Sequence, residues 1–268
     1  MESAAEANVR LQIGALMQRI LIVAAQPATA RLLSDLLRSI DRCQIWAATD
    51  ERRALEVAKT IEPHLVFVEH DAAFDGIAFT RALRRSYLAA RKSVVILISA
   101  QATAAVIIGA RDAGAHEFLR RPYTTGDLMR RLEAVSRRAR DWIEGVDYVG
   151  PDRRRFNSGN YAGPLRRRVD HARTPDEARV LQALRNLKTA LAALERDPPQ
   201  ALRSMQAQVE LLGCIADARS DLVFRSAVGV LGESITRRDA ATLDRREIER
   251  LAAPLLAFLP AEQGRPAA

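Results

Sequence analysis

LVFVEHDAAFDG, residues 65–76, sets a run of four apolar residues before an acidic loop and an Asp75-Gly76 turn, with helical spacing over 77–87. The run reads as a short buried strand and the turn as its exit into a helix. The same unit repeats on both sides. Upstream, ILIV (20–23) is a strand ending at AAQP, leucines recur at helical spacing over 28–40, and QIWAAT (44–49) is a second strand. ERRALEVAKTIEP (51–63) is the next helix, stopping near Pro63. Downstream, VVILIS (94–99) is a strand, a helix follows around 102–112, HEFL (116–119) is a fifth strand, and TGDLMRRLEAVSRRARDW (125–142) reads as a long closing helix. Strands alternating with helices predict an α/β doubly wound fold with a parallel five-stranded sheet, whose ligands sit at the carboxyl ends of the strands.

Beyond Trp142 the pattern changes. GVDYVGPDRRRFNSGNYAGPLRRRVDHARTP carries Gly, Pro and Asn punctuation with no period, and reads as an irregular segment without a core of its own, flexible until a partner orders it. From Pro175, VLQALRNLKTALAAL (180–194), ALRSMQAQVELLGCIADA (201–218), DLVFRSAVGVLGESI (221–235) and REIERLAAPLLAFL (246–259) are amphipathic, with Asp221 and Asp244 as candidate caps. They predict a small antiparallel all-α bundle. The expected layout is an extension at 1–18, the α/β domain at 19–142, the arginine-rich segment at 143–174, the bundle at 175–260 and a tail at 261–268.

Charge and cysteine content narrow the function classes. The chain carries net charge +8 over 268 residues, and residues 151–168 alone hold six arginines against one carboxylate, Asp152. Such a local excess predicts an anionic partner. Cys43 and Cys214 lie far apart, which argues against a disulfide framework or a zinc site. With neither a basic leader nor eighteen consecutive apolar residues, no membrane insertion and a cytoplasmic location are expected. All four histidines (His64, His70, His116, His171) precede residue 175, which removes histidine phosphotransfer from the bundle's options.

ILIVAAQP, LVFVEHDAAFDG, ILISA and FLRRP stand at the spacing of CheY-like receivers, and residues 19–142 resemble that flavodoxin-like family throughout. The resemblance implies a phosphorylation site that has been dismantled. Where receivers hold Mg²⁺ with two acids after the first strand, this chain has Ala24 and Ala25, which offer no oxygen ligand. The phospho-accepting aspartate is matched by Glu69, with Asp71 two residues on. Ser99 keeps the hydroxyl position, and Arg121 replaces the lysine. Two readings of a Glu69–Arg121 pair stay open, imitation of a fixed signalling state or a purely structural pair. Phe118 matches the aromatic switch position, with plain packing as the other reading.

Gly-Pro-Asp-Arg-Arg-Arg (150–155) and Gly-Pro-Leu-Arg-Arg-Arg (163–168) repeat one unit thirteen residues apart. Behind a degenerate receiver, this resembles the arginine-rich segment of the Cle family, CheY-like cyclic-di-GMP effectors of alphaproteobacteria. The resemblance implies a cyclic-di-GMP ligand, bound as an intercalated dimer, and a protein partner such as a flagellar motor component. It also implies recruitment to a pole or motor, and control of motility or surface attachment. The residue types suit the ligand. Arg153, Arg154, Arg155, Arg166, Arg167 and Arg168 can each grip a guanine O6/N7 edge or a phosphate and stack on a base. Asp152 and Asp170 can accept from guanine N–H groups, Tyr161 can stack, and Asn157 and Ser158 can reach phosphate or sugar. Alternatively, Phe156 and Tyr161 pin a solvated linker to the receiver.

Two function classes follow. One is a non-enzymatic second-messenger receptor without a cofactor, coupling cyclic di-GMP to protein–protein interaction. The other is an RNA- or DNA-binding regulator using the same arginines on phosphates, which a steep salt dependence without nucleotide selectivity would reveal. The bundle is expected to serve interaction or homo-oligomerisation.

Overall fold

The computed structural model describes residues 11–137, 140–153, 175–218, 221–236 and 244–259. The chain divides into two units, one comprising 1–143 with 148–160 and the other 144–147 with 161–268.

The first unit is the expected doubly wound fold. Strands β1 (Arg19–Val23), β2 (Gln44–Ala48), β3 (Leu65–Glu69), β4 (Val94–Ser99) and β5 (Glu117–Arg120) form one sheet in the order β2-β1-β3-β4-β5. Every pairing is parallel. Helices α1 (Pro27–Ile40), α2 (Glu51–Ile61), α3 (Gly76–Arg85), α4 (Ala104–Ala113) and α5 (Thr125–Arg137) connect and follow the strands. Because side chains alternate across a strand, each run feeds two cores. Leu21, Val23, Val66, Val68, Val95, Leu97 and Phe118 pack with Val57, Phe79, Leu83 and Ala110 of α2, α3 and α4. Ile20, Ile22, Leu65, Phe67, Ile96, Ile98 and Leu119 pack with Leu33, Leu37, Leu128 and Leu132 of α1 and α5. Each such Val, Leu, Ile or Phe side chain, withdrawn from water, contributes about 1.5–3 kcal/mol.

Local signals set the helix starts. Asp50, Asp75 and Thr103 cap α2, α3 and α4 through side-chain oxygens that accept first-turn N–H groups, while α1 begins at Pro27. Residues 11–16 are also helical, and Ile13 and Met17 lie in the second core.

Two expectations need correction. The closing helix was expected to reach Trp142, yet Trp142–Glu144 is strand β6. It pairs with β7 (Val149–Pro151), inside a stretch expected to have neither strand nor core. Trp142 is drawn out of a helix by two guanidiniums, those of Arg84 and Arg91, whose Cζ atoms stand 5.5 and 5.6 Å from its ring centroid. Tyr148 and Val149 are buried, and β7 packs against α3. Residues 154–174, where the rest of that irregular segment was expected, lie outside the described residues.

The second unit contains α6 (Pro175–Ala192), α7 (Pro198–Ala218), α8 (Leu222–Thr236) and α9 (Arg245–Leu256), the expected helical region. Contacts run α6–α7, α7–α8, α8–α9 and α9–α6, closing a four-helix ring around Leu184, Leu187, Met205, Leu212, Phe224, Leu231, Ile248 and Leu255. Asp244 caps α9, and Asp221 accepts from the Phe224 N–H before α8. Val146 joins this core, and Gln200 donates to Glu144 Oε1 and to the Gly145 carbonyl, both at 2.9 Å.

Candidate functional site

The carboxyl ends of the central strands bring together Ala24, Glu69, Ser99 and Arg121, four of the residues matched to receiver phosphorylation chemistry, and Ala25 follows Ala24 in the loop. Val23 is level with Val68 across β1 and β3, so Ala24 follows at the height of Glu69. Glu69 in turn faces Ile98, the residue before Ser99. The backbone N–H of Arg121 donates to the Ser99 carbonyl at 2.9 Å, and the Arg121–Pro122 peptide is cis.

Glu69 is only 4% exposed, and its Oε1 forms an ion pair with Arg121 Nη2. Gly76 presses on its backbone, since a Cβ there would stand 2.2 Å from the Glu69 carbonyl oxygen. Asp71 accepts from the N–H groups of Ala73 and Phe74 at 2.8 and 2.9 Å, and so shapes the loop. Asp75 is committed to capping α3. Ser99 Oγ accepts from the Gln101 N–H at 3.1 Å. Burial pushes the Tyr123 phenol up, with Arg121 opposing and Glu69 adding.

These residues do not fit a divalent cation. Ala24 and Ala25 supply no oxygen, the buried carboxylate is already neutralised by a guanidinium, and no three His, Cys, Asp or Glu side chains gather among the described residues. An arginine-paired carboxylate is also a poor phosphoryl acceptor, because no cation is left to offset the charge of the transferred group. Phe118, 5% exposed, packs in the core.

The response regulator receiver domain family matches residues 20–133. The chain is 30% identical over 118 residues to the probable chemotaxis protein CheY of Rhizobium etli, covering 44% of this chain and 91% of that protein. It belongs to the response regulator receiver family. The receiver is also 33% identical over 123 residues to the KDP operon transcriptional regulatory protein KdpE of Escherichia coli K12, of which the chain spans about half, 52%. Among solved structures, CheY4 of Vibrio cholerae aligns at 18% identity and TM-score 0.41, covering 44% of this chain and 98% of that one. A CheY-like receiver of Methanospirillum hungatei aligns at 16% identity and TM-score 0.39, covering 44% and 91%. The chain thus carries the receiver domain of two-component, chemotaxis-type regulators.

At the amino ends of the same strands the receiver has a second polar assembly that sequence reading missed. Arg84 is 1% exposed and donates to the carbonyls of Gly114 (2.9 Å), Arg91 (2.6 Å) and Ser93 (2.8 Å). Burial pulls this guanidinium down to about 9. His116 Nδ1 accepts from the Val95 N–H at 3.2 Å, and burial, with Arg84 and Arg140 beside it, holds the imidazole well below its ordinary value. Glu117, 2% exposed, pairs with Arg140 at 2.6 Å and Arg131 at 3.1 Å. Onto this floor the β6–β7 ladder seats the start of the arginine-rich segment. Tyr148 Oη donates to the Pro151 carbonyl at 2.5 Å, and burial pushes its phenol up to about 12. The Asp152 N–H donates to the Asp141 carbonyl at 2.9 Å. Arg153 stacks over Tyr148, Cζ to centroid 4.4 Å, and its Nη1 reaches Asp112 Oδ1 at 3.0 Å. The aromatic and β-branched pairs Trp142-Ile143 and Tyr148-Val149, spaced by a short connection, were the available signal.

Of the residues assigned to the arginine-rich site, Asp152 and Arg153 are therefore placed. Arg154, Arg155, Asn157, Ser158, Tyr161, Arg166, Arg167, Arg168 and Asp170 lie outside the described residues.

Proposed function

We propose that this protein is a non-enzymatic receptor for cyclic di-GMP, which it binds through the arginine-rich segment 150–170, and that it passes the signal on by protein–protein interaction. The observation that carries this reading is the doubled Gly-Pro-x-Arg-Arg-Arg unit directly behind a receiver whose acceptor position holds a buried Glu69–Arg121 pair. A receiver that cannot take phosphate through that site needs another input. Guanidiniums serve both halves of such an input, gripping phosphates and the O6/N7 edge of guanine. The ligand is the messenger as an intercalated dimer, with no cofactor. The similarity to a relative named as a chemotaxis protein supports an output in motility; control of surface attachment and a flagellar motor component as the partner are the further parts of the proposal. No described helix is long and apolar enough to cross a membrane.

Isothermal titration of the full chain tests the ligand. Saturable binding of cyclic di-GMP, absent with GTP and weakened by Arg154→Ala or Arg167→Ala, is expected. Equal responses to both nucleotides, together with salt-dependent RNA or DNA binding, would instead establish the nucleic-acid regulator. The similarity to KdpE, named a transcriptional regulatory protein, is the observation that favours testing that alternative.

A further inference from the structure

We propose that Asp112 is a built-in competitor of the nucleotide, holding the first arginine of the segment until ligand displaces it. Arg153 opens the first triplet, and its Nη1 donates to Asp112 Oδ1 at 3.0 Å across 41 residues of sequence. The same oxygen accepts from Arg111 Nε at 3.0 Å. The hairpin brings Arg153 there by close backbone contact. Gly114 and Gly150 both adopt positive φ, 96° and 151°, and a Cβ on Gly150 would stand 2.9 Å from Gly114 Cα. Tyr148, held through Pro151, then covers one face of the guanidinium.

Arginine binds a phosphate or a guanine edge with the same planar fork that it gives to a carboxylate. The N–H edge that Arg153 lends to Asp112 is therefore withdrawn from the ligand. Burial alone would raise the Asp112 carboxyl, but its hydrogen bonds to Arg111 and Arg153 hold it low and keep it charged. Both partners remain partly exposed, 45% for Arg153 and 36% for Asp112. A contact of that kind weakens a competing site by about two- to fivefold. It sets a threshold concentration of messenger without blocking the site. This inference rests on the nucleotide-receptor reading and adds the regulation of that site.

Titration of the full chain with cyclic di-GMP, in a double-mutant cycle over Asp112→Asn and Arg153→Ala, tests it. Asp112→Asn is expected to lower Kd about two- to fivefold, and to have no effect when Arg153 is already alanine. If wild type binds while Asp112→Asn binds equally or more weakly, the competitor is refuted and the receptor reading stands. If the gain persists without Arg153, it reflects bulk charge, and the competitor is again refuted. If neither chain binds cyclic di-GMP, the receptor reading fails and the competitor falls with it.

Discussion

Glu69 and Arg121 occupy the two positions on which phosphoryl acceptance and its readout turn in a receiver, and here they neutralise each other. Removing one partner from a largely buried pair leaves a desolvated charge. Arg121→Ala should therefore destabilise the receiver by about 3 kcal/mol, whereas the double change Glu69→Leu with Arg121→Met should cost far less. Denaturant melts of the three chains check this ordering, and equal losses would show that the pair's mutual attraction is not what matters. The same neutralisation decides the chemistry. With Ala24 and Ala25 beside it, Glu69 should acquire no label from acetyl phosphate and Mg²⁺, and neither should Asp71, whose carboxylate serves the Ala73 and Phe74 N–H groups. Intact mass before and after treatment is the readout; an added phosphate on either acid would contradict it. The ion pair itself is common to both readings, imitation of a fixed signalling state and a purely structural pair: either way it neutralises a buried carboxylate.

The β6–β7 ladder is the element that the receiver pattern does not announce, and its seat is tight. Gly150 combines φ of 151° with a virtual Cβ 2.8 Å from Tyr148 Oη, so Gly150→Ala should destabilise the receiver by about 1–3 kcal/mol and loosen the start of the arginine-rich segment. Thermal melts and proteolysis near residue 150 test it. Beneath the ladder, His116 is neutral in the fold. Because its folded value lies below 6.5, the unfolded chain binds more protons as pH falls, so its share of stability is present above about pH 6.5 and lost on acidification. The imidazole should not charge near pH 6.5 in an NMR titration of the folded chain. The five strands, five helices and the helical region were legible because each depends on local period and caps: VVILIS is strand over the very residues read, and Asp244 caps as expected. Trp142 and Tyr148 were not, because their order comes from Arg84, Arg91 and Gly114, which lie 30 to 60 residues away and leave no local period. At the carboxyl ends of the strands, the places of Ala24, Glu69, Ser99 and Arg121 could be read because each ends or directly follows a strand whose apolar run is local. Asp112 was not, since only the folded hairpin brings Arg153 to it.

For the molecule as a whole, the receiver's two polar assemblies stand at opposite ends of the sheet. The neutralised phosphorylation site lies at the carboxyl ends of the strands. The segment's first residues, Gly150 to Arg153, are anchored by groups at the amino ends, roughly 15–20 Å away by the rise of a five- or six-residue strand. An input at the arginine-rich segment, as proposed, enters at the end of the sheet opposite Glu69. Residues 144–147 belong to the helical unit, where Val146 is in the core and Gln200 holds Glu144, so the chain enters that unit just before the segment begins. The central claim, that cyclic di-GMP is read by this segment, is tested most directly by hydrogen exchange of the full chain with and without the messenger. Gained protection over residues 150–170, with the 69–75 loop unchanged and GTP without effect, is the result expected. Unchanged exchange over 150–170 at saturating messenger, or protection confined to the Glu69 end of the sheet, would contradict it.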